Sequence, residues 1–272
     1  MLNWLARNAL HYGHAFEIRG LLLTEYFRLR RREPSIPGGL GWRIWREPSH
    51  MEDLLNLARF VSPIEHILLL DLGGNVGQWA AEFVSFFPKT DIIAFEPDPR
   101  AHAAYAARFQ GRPNVTLHQV AVSSAPGKAT FHLAENPVYS SLEAYSDTQA
   151  DRGIEMGKDC TVALQTLDSF GIDTSGHDAT VLKIDVQGHE VEALLGATET
   201  LRKVDVLIGE LAFATQYDGA EPSFARVCSL LQAAGLHPAI FQTYGRQLGP
   251  HAFERDVVFV RRNRLDRLYG WD

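Results

Sequence analysis

The spacing of apolar residues changes near residue 65 of this 272-residue chain. Before that point apolar positions recur every three or four residues, which is the period of an amphipathic helix. The pattern predicts helices within residues 1–32 and over Met51–Phe60. The first segment forms one helix or two, because Gly13 and Gly20 interrupt it, and a cluster of Pro, Ser and Gly at residues 34–39 ends it.

From residue 65 onward, short β-rich runs alternate with helical patterns. Such alternation predicts βαβ units and a mainly parallel sheet with helices on both faces. The predicted strands are Ile67–Leu72, Asp91–Glu96, Val115–Gln119, Val181–Val186, Val204–Glu210, Ala239–Thr243 and Val257–Arg261, with a further short strand near Ala129–Leu133. The predicted helices are Val76–Phe87, Arg100–Gln110, Glu190–Arg202 and Ser223–Ala234.

Two segments depart from this alternation. Residues 1–62 are predicted to form an N-terminal helical appendage to a main domain over residues 63–272. Within the main domain, Glu135–Asp159 lacks clear periodicity and is long for a structureless connection. Loops of that length often act as lids or binding loops, so this segment is a candidate for one.

Composition and charge narrow the class of protein. Hydrophobic residues make up 46% and charged residues 22%, as in ordinary globular proteins, which excludes a mainly disordered chain. The net charge is −7, although residues 1–32 hold six Arg against two Glu, so the body of the chain is acidic. An acidic body argues against nucleic-acid binding, whose affinity comes from neutralised phosphates. Two cysteines are too few for a disulfide framework or a multi-Cys zinc site.

No apolar run approaches the roughly 18 residues that a membrane-spanning helix needs. The longest run near the start, Leu21–Leu23, is also too short for the core of a signal peptide. We therefore expect a cytoplasmic protein without a membrane span.

A glycine-rich turn, Asp71-Leu72-Gly73-Gly74-Asn75-Val76-Gly77, follows the first predicted strand. Glycines there let the backbone approach a ligand closely and turn sharply into a helix. The dinucleotide pattern G-x-G-x-x-G, begun at Gly73, fails because Asn75 and Gln78 stand where glycines are needed. No Gly-Lys-Ser/Thr follows, so the turn is not a P-loop. A carboxylate followed by G-x-x-x-G indicates a ligand without a pyrophosphate.

An acidic turn, Phe95-Glu96-Pro97-Asp98-Pro99, follows the second predicted strand. It comes about 20 residues after the glycines, where an acidic residue can bind two ribose hydroxyls. A carboxylate accepts both hydrogen bonds at once. We therefore assign ribose binding to Glu96, whereas Asp98 could instead cap the helix predicted from Arg100.

Four motifs together resemble the FkbM-type S-adenosylmethionine-dependent methyltransferases. They are the loop Asp71–Gly77, the turn Phe95–Asp98, and the segments Thr166–Phe170 and Leu182–Glu190, which stand in the order of the family. The resemblance covers residues 65–262. Gly74 and Gln187 depart from the Ala and Glu that the family often has at these positions.

The resemblance implies a class I methyltransferase fold, a Rossmann-like α/β sheet with one antiparallel strand near its edge, here Asp256–Arg261. It implies S-adenosylmethionine as methyl donor and S-adenosylhomocysteine as product, bound at the carboxyl ends of the first strands. Carried over by position, Asp71, Gly73, Asn75 and Gly77 would surround the methionine part of the donor, Glu96 its ribose, and Pro97, Asp98, Gln119 and Val120 its adenine. Tyr139, Ser140 and Ser141 begin a stretch similar to a Ser-Ser-Leu stretch of the family and would help to shape the acceptor pocket.

A hydroxyl acceptor also benefits from a base that removes its proton. The candidates are Asp185, His189 and Glu210, which lie near the ends of two predicted strands. We favour His189 as the base, with Asp185 orienting the acceptor or the imidazole and bordering the donor. Lys183 is expected to pair with a neighbouring carboxylate, because a buried ammonium must be paired. We predict no bound metal, although Asp185, His189 and Glu210 could alternatively coordinate a divalent ion.

The sequence thus predicts a methyltransferase that O-methylates a small-molecule, sugar or natural-product acceptor. The alternatives are N-methylation of a peptide side chain and a non-catalytic binding module with a methyltransferase fold. A nicotinamide-dependent oxidoreductase is disfavoured by the failed dinucleotide pattern. The expected partner is a small-molecule, glycan or peptide acceptor rather than a nucleic acid, and a homodimer could form through the N-terminal helices.

Overall fold

The computed structural model describes residues 19–38, 48–144, 154–214, 222–243, 247–248, 251–252 and 254–269. The strands of this part of the chain are β1 (Ile67–Leu72), β2 (Thr90–Phe95), β3 (Val115–His118), β4 (Ala121–Val122), β5 (Gly127–Phe131), β6 (Cys160–Gln165), β7 (Ala179–Ile184), β8 (Val206–Ala212), β9 (Leu236–Phe241), β10 (Gln247–Leu248), β11 (His251–Ala252) and β12 (Glu254–Arg261). The helices are α1 (19–32), α2 (Pro48–Leu57), α3 (Gln78–Phe86), α4 (Pro99–Arg108), α5 (Glu190–Leu195), α6 (Thr198–Leu201), α7 (Ser223–Ala233) and α8 (Arg262–Tyr269), with short 3₁₀ helices at Pro137–Tyr139 and Leu167–Phe170. None of these described helices is long and apolar enough to cross a membrane.

The main sheet of the described chain has seven strands in the order β3-β2-β1-β7-β8-β12-β9. Neighbouring strands from β3 to β8 are parallel, whereas β12 pairs antiparallel with β8 on one side and with β9 on the other. The antiparallel strand is the one expected over Asp256–Arg261, and it begins earlier, at Glu254. The predicted Rossmann-like α/β fold of class I methyltransferases is confirmed.

Helices cover both faces of this sheet. Alternate residues of a strand point to opposite sides, so each strand packs against helices on both faces. On one face Ile67 and Leu69 of β1 pack in a hydrophobic cluster with residues of α1 to α4. On the other face Leu68 and Leu70 pack in a second cluster with residues of α5 to α7. Every residue of β1 is buried, Asp71 included, and the apolar run Ile67–Leu70 predicts such a strand covered on both sides.

The described part of the N-terminal segment packs on the main domain. Helix α1 includes Gly20, which does not interrupt it. Leu22, Tyr26 and Leu29 form a buried stripe along this helix and belong to the same hydrophobic cluster as Ile67 of β1. The predicted domain boundary after residue 62 stays a prediction, and the helical pattern before residue 19 lies outside the described residues.

The helix predicted over Glu190–Arg202 is instead two short helices, α5 and α6. The second begins because Asp168 caps it, accepting hydrogen bonds from the backbone N–H groups of Glu199 at 3.0 Å and Thr200 at 2.8 Å. A Cβ at Gly196, between the two helices, would lie 2.0 Å from the carbonyl oxygen of Ser123. The Thr166–Phe170 motif therefore supports the fold at this crossing.

Strand β6 was not predicted, although Cys160, Val162 and Leu164 alternate along it with less apolar residues. It pairs with β4 and β5 in a three-stranded sheet beside the main one. These three side chains pack in one small cluster with Ala121 of β4 and Phe131 of β5, as that alternation indicates. Residues 145–153 of the predicted loop lie outside the described residues.

Candidate active site

A cleft opens at the carboxyl ends of β1, β2 and β7, where open α/β sheets bind ligands. Most residues predicted for the site line it: Gly73, Asn75, Glu96, Pro97, Val120, Ser140, Asp185 and His189. The others do not: Asp71, Gly77, Asp98, Gln119, Tyr139, Ser141 and Glu210. The structure thus brings eight of the fifteen candidates to one cleft, among them Glu96, Asp185 and His189, while the roles assigned to them stay predictions.

The loop between β1 and α3 bends sharply at the edge of the cleft. Gly73 and Gly77 have left-handed φ angles of 74° and 72°, and Asn75 between them has a φ of 47°. A Cβ at residue 73 would lie 1.9 Å from the carbonyl oxygen of Asp185, so only glycine fits there. The backbone N–H of Gly73 also donates to the carbonyl oxygen of Phe95 at 3.0 Å. The loop is therefore held between the ends of β2 and β7.

Asp71 lies beneath this loop in β1 and is only 1% exposed. The Tyr105 hydroxyl donates to its Oδ2 at 3.1 Å, and Nζ of Lys183 lies 4.0 Å from its Oδ1. Burial raises the pKa of Asp71, against the attraction of Lys183. Within the described residues, Oδ1 of Asp71 and the buried Oδ1 of Asn75 have no hydrogen-bond donor. Buried acceptors without a donor are rare in proteins, so this loop can receive donors from a ligand.

Glu96 follows β2 and is 5% exposed. Its Oε2 accepts a hydrogen bond from the backbone N–H of Asn75 at 2.7 Å, and its Oε1 accepts one from that of Asp98 at 2.7 Å. Burial raises the pKa of Glu96 to about 7, although both hydrogen bonds favour the ionised form. Because each carboxylate oxygen offers more than one acceptor position, Glu96 can still bind ligand hydroxyls.

Asp98 acts as a helix cap. Its Oδ1 accepts from the backbone N–H of Arg100 at 2.8 Å, and Pro99 occupies the first turn of α4. Its Oδ2 pairs with the Arg100 guanidinium at 2.7 Å. Burial opposes ionisation of Asp98, but the hydrogen bonds from Arg100 outweigh it and lower the pKa. Both oxygens of Asp98 are thus engaged in starting α4, and its predicted contact with adenine stays a prediction.

Asp185 lies just after β7, with 36% of its side chain exposed. Lys183 Nζ lies 3.2 Å from its Oδ2, and Gln187 Nε2 donates to its Oδ1 at 2.9 Å. Burial alone would raise the pKa of Asp185, but the Lys183 ammonium and the Gln187 amide hold it below its ordinary value. The predicted pairing of Lys183 with a carboxylate is confirmed. Gln187 has a left-handed φ of 52°, a strained conformation that the sequence did not indicate.

Both ring nitrogens of His189, at the start of α5, have partners. Nδ1 lies 2.8 Å from Oε1 of Glu143, and Nε2 lies 3.0 Å from Oγ of Ser123. Because an ionised carboxylate can only accept, Nδ1 carries a proton, and in the neutral ring Nε2 accepts from the Ser123 hydroxyl. Glu143 therefore holds the imidazole in the tautomer that can take a proton at Nε2.

Glu210 belongs to a buried group of acidic residues between β8, β12 and α2. It lies opposite Asp256 in the antiparallel register of β8 and β12. Burial, followed by repulsion from Asp185, raises the pKa of Glu210 well above its ordinary value. Burial likewise raises the pKa of Asp53, in α2, to about 8. These shifts favour a protonated Glu210, which is less suited than His189 to accept a proton.

Residues 139–141, which were predicted to help shape the acceptor pocket, are held by hydrogen bonds to the segments that follow β2 and β7. Ser140 Oγ donates to Oδ2 of Asp98 at 3.3 Å, and Ser141 Oγ donates to the carbonyl oxygen of Gln187 at 2.6 Å. Tyr139 is half-buried and does not line the cleft. The two serines therefore fix the position of this loop next to the end of β7.

The alternative of a divalent ion bound by Asp185, His189 and Glu210 finds no support in the described residues. Their ligand atoms do not form a group close enough to hold one ion. The ring nitrogens of His189 bond instead to Ser123 and Glu143.

Four residues near the cleft were missed by sequence reasoning: Asp53, Ser123, Glu143 and Gln187. Asp53 lies in the helix predicted over Met51–Phe60, next to apolar residues. Its burial, and that of Glu52 and Asn56, became visible only in the structure. Glu143 and Ser123 had none, since they lie 46 and 66 residues from His189 along the chain.

Comparisons with known proteins are consistent with this geometry. A family model described as the methyltransferase FkbM domain matches residues 71–237, more than half of the chain. The chain is 26% identical over 163 residues to the 2-O-methyltransferase NoeI of Sinorhizobium fredii, which covers 57% of this chain and 67% of that protein. It is 26% identical over 202 residues to the hexuronic acid methyltransferase AglP of Haloferax volcanii, covering 73% and 74%. It is 23% identical over 213 residues to Methyltransferase 1 of Beauveria bassiana, covering 70% and 81%.

Proposed function

The chain belongs to the FkbM methyltransferase family, and we propose that it transfers the methyl group of S-adenosylmethionine to a hydroxyl group of a saccharide. The observation that carries this proposal is the convergence of Gly73, Glu96 and Asp185 from the ends of three parallel strands on one cleft. A 2-O-methyltransferase and a hexuronic acid methyltransferase among the relatives support a sugar hydroxyl as the acceptor.

The residues of the β1–α3 loop suit the proposed methyl donor. The buried oxygens of Asp71 and Asn75 that have no donor within the described residues can accept from the amino group of its methionine part, directly or through a water. Glu96 can accept from both ribose hydroxyls while it keeps its two backbone partners. When bound, the donor supplies a methyl group already activated on a sulfonium, so the protein chiefly has to align the acceptor with it.

His189 is the proposed base. Glu143 holds its Nδ1–H, which leaves the Nε2 lone pair available once Ser123 rotates away. A positioned base contributes typically ~10²–10⁴-fold to such a reaction. Asp185, whose lowered pKa favours the carboxylate, orients the acceptor hydroxyl.

The part of the cleft wall that residues 137–142 form suits a saccharide. Pro137, Val138 and Leu142 provide an apolar surface, and Ser140 lies among them. A sugar ring presents both apolar C–H faces and hydroxyl groups, which matches this mixture. The cytoplasmic location, the homodimer and the exclusion of nucleic acid remain predictions.

The test compares ligands and acceptors on the purified chain. We expect S-adenosylhomocysteine to bind in a calorimetric titration and to raise the melting temperature, because a ligand that binds only the native state stabilises it. NAD serves as the control ligand and is expected to have no effect. Binding of NAD without binding of S-adenosylhomocysteine would overturn the assignment.

The second part of the test follows methyl transfer by mass spectrometry. Oligosaccharides that contain hexuronic acid or free 2-hydroxyl groups are compared with peptides of matched size. We expect a gain of one methyl group on the sugars alone. Transfer to peptides alone would support the N-methyltransferase alternative, and donor binding without transfer to either class would support a non-catalytic module.

A further inference from the structure

A cluster of two histidines and an aspartate lies at the amino-terminal edge of the main sheet, opposite the cleft. His66 immediately precedes β1, Asp91 is in β2, and His177 precedes β7. Because β1 lies between β2 and β7 in the sheet, these three positions are neighbours in space. Neither the family motifs nor the proposed methyl transfer involves this edge.

The three side chains converge on one point. Nε2 of His66 and Nε2 of His177 each lie 3.0 Å from Oδ2 of Asp91. Both nitrogens and the carboxylate oxygen lie within 4.8 Å of one another. At metal–ligand bond lengths of about 2.0–2.1 Å, two ligand atoms 3.0 Å apart subtend an angle of about 90–97° at a metal ion. That angle is close to octahedral coordination and below the ~109° of a tetrahedral zinc site, so the ligand atoms have to move apart by about 0.3 Å to bind zinc tetrahedrally.

The hydrogen bond of His66 suits a cation between these groups, whereas the buried Nδ1 of His177 has no hydrogen-bond partner within the described residues. Nδ1 of His66 lies 3.1 Å from the carbonyl oxygen of Gly176, so it carries a proton. In the neutral ring, Nε2 then has a lone pair, which points at the Asp91 carboxylate. Two lone pairs 3.0 Å apart repel each other unless a proton or a metal ion lies between them. Hydrogen bonding of Nδ1 to a backbone carbonyl is also the usual way in which a metal-ligating histidine is oriented.

The cluster is held in place and is accessible to solvent. The backbone N–H of His66 donates to Oδ2 of Asp178 at 2.8 Å, which ties the start of β1 to the segment that contains His177. The side chains of His66 and Asp91 are 44% and 37% exposed, so an ion has an entry path, and water can complete its coordination.

We propose that His66, Asp91 and His177 bind a borderline divalent transition-metal ion, zinc in the first instance. Imidazole and carboxylate ligands suit zinc, whereas magnesium and calcium prefer oxygen ligands alone. The ion connects the starts of three adjacent strands and stabilises the sheet at the edge remote from the cleft. The proposal does not depend on the proposed function.

The test uses the full chain, with any polyhistidine tag removed and with metal removed by EDTA and dialysis. Titration calorimetry with zinc chloride is expected to show one zinc ion per chain, and zinc but not magnesium is expected to raise the melting temperature. Asp91→Asn and His177→Asn are each expected to weaken zinc binding by at least about 100-fold. Cobalt bound by the parent chain should show the visible absorption of nitrogen and oxygen coordination, and both variants should lose it.

The matched control is His132→Asn. His132 also faces a carboxylate, with Nδ1 3.2 Å from Oδ1 of Asp159, but among the described residues no second histidine joins them in a metal-binding group. This variant is expected to bind zinc as the parent does. The proposal is overturned if the parent binds no zinc at micromolar concentrations, or if both cluster variants retain parental affinity. A parent that is stabilised by acid but not by zinc would show that the two imidazoles only share protons with Asp91, which also overturns it.

Discussion

We predict that Glu96 makes binding of the proposed methyl donor dependent on pH. Its pKa is raised to about 7 from an ordinary value of 4.5, because the carboxylate is buried and its two backbone hydrogen bonds only partly offset that cost. Ribose hydroxyls donate hydrogen bonds and are accepted best by the ionised form. Donor affinity should therefore increase as the pH rises through 7.

The size of the effect follows from the pKa. With a pKa of about 7, about one tenth of the Glu96 side chains are ionised at pH 6 and about nine tenths at pH 8. If the complex forms only with the ionised side chain, the dissociation constant of S-adenosylhomocysteine falls by about tenfold over this interval. The contribution of Glu96 to the free energy of unfolding, in contrast, decreases as the pH rises. Between pH 4.5 and 7 the native state keeps a proton that the unfolded chain has released, so raising the pH lowers the contribution of Glu96 to stability.

The assay is calorimetric titration of S-adenosylhomocysteine at pH 6, 7 and 8. Asp53 and Glu190 also have pKa values raised by burial, to about 8 and about 7, so a pH profile alone does not identify the group. Glu96→Gln removes the titrating group and should give a flat profile, with affinity at pH 8 weaker by about 1–3 kcal/mol. The exposed Glu155→Gln is the control and should keep the parental profile.

The reasoning about Glu96 is refuted if Glu96→Gln keeps the parental pH dependence. It is also refuted if the parent binds S-adenosylhomocysteine equally well at pH 6 and pH 8, because a buried carboxylate with a pKa near 7 would then not contact the ribose.

Two further predictions concern the same cleft. Gly73→Ala should weaken S-adenosylhomocysteine binding by more than about tenfold, as measured by calorimetry. The alanine Cβ would lie 1.9 Å from the Asp185 carbonyl oxygen, and the left-handed φ at this position is strained for alanine. Parental affinity in this variant would contradict the loop geometry. His189→Ala should lower the single-turnover rate by ~10²–10⁴-fold with donor affinity unchanged, and Glu143→Gln should lower it less, because it loses only the orienting carboxylate. Rates within a few-fold of the parent for both variants would show that catalysis needs only the alignment of the acceptor with the methyl donor and no base.

The sequence by itself determined the elements of the main sheet and the position of the glycine-rich loop beside Glu96. The apolar run Ile67–Leu70 indicates a strand covered on both faces, and it forms the first part of β1. Glycine at position 73 followed by an acidic residue after the next strand locates Glu96 beside the loop, because parallel neighbouring strands end at the same edge. Periodicity and turn chemistry act over a few residues, so these features can be read locally.

Only the tertiary structure decided how distant residues meet. The sequence offered two roles for Asp98, and the structure shows that its side chain caps α4 at Arg100. The same carboxylate accepts a hydrogen bond from Ser140, which lies 42 residues away. The partners of His189, Glu143 and Ser123, belong to segments without periodicity, one of them beside the unpredicted three-stranded sheet.

The cluster of His66, Asp91 and His177 at the amino-terminal edge of the main sheet likewise could not be predicted from the sequence. His66 and His177 are far apart in sequence and become neighbours only because β7 pairs with β1. The order of strands in a sheet is set by the burial of both faces across the whole chain. A local pattern can therefore predict each strand. Which strands pair depends on contacts between residues that are far apart in the sequence, so a local pattern does not predict it.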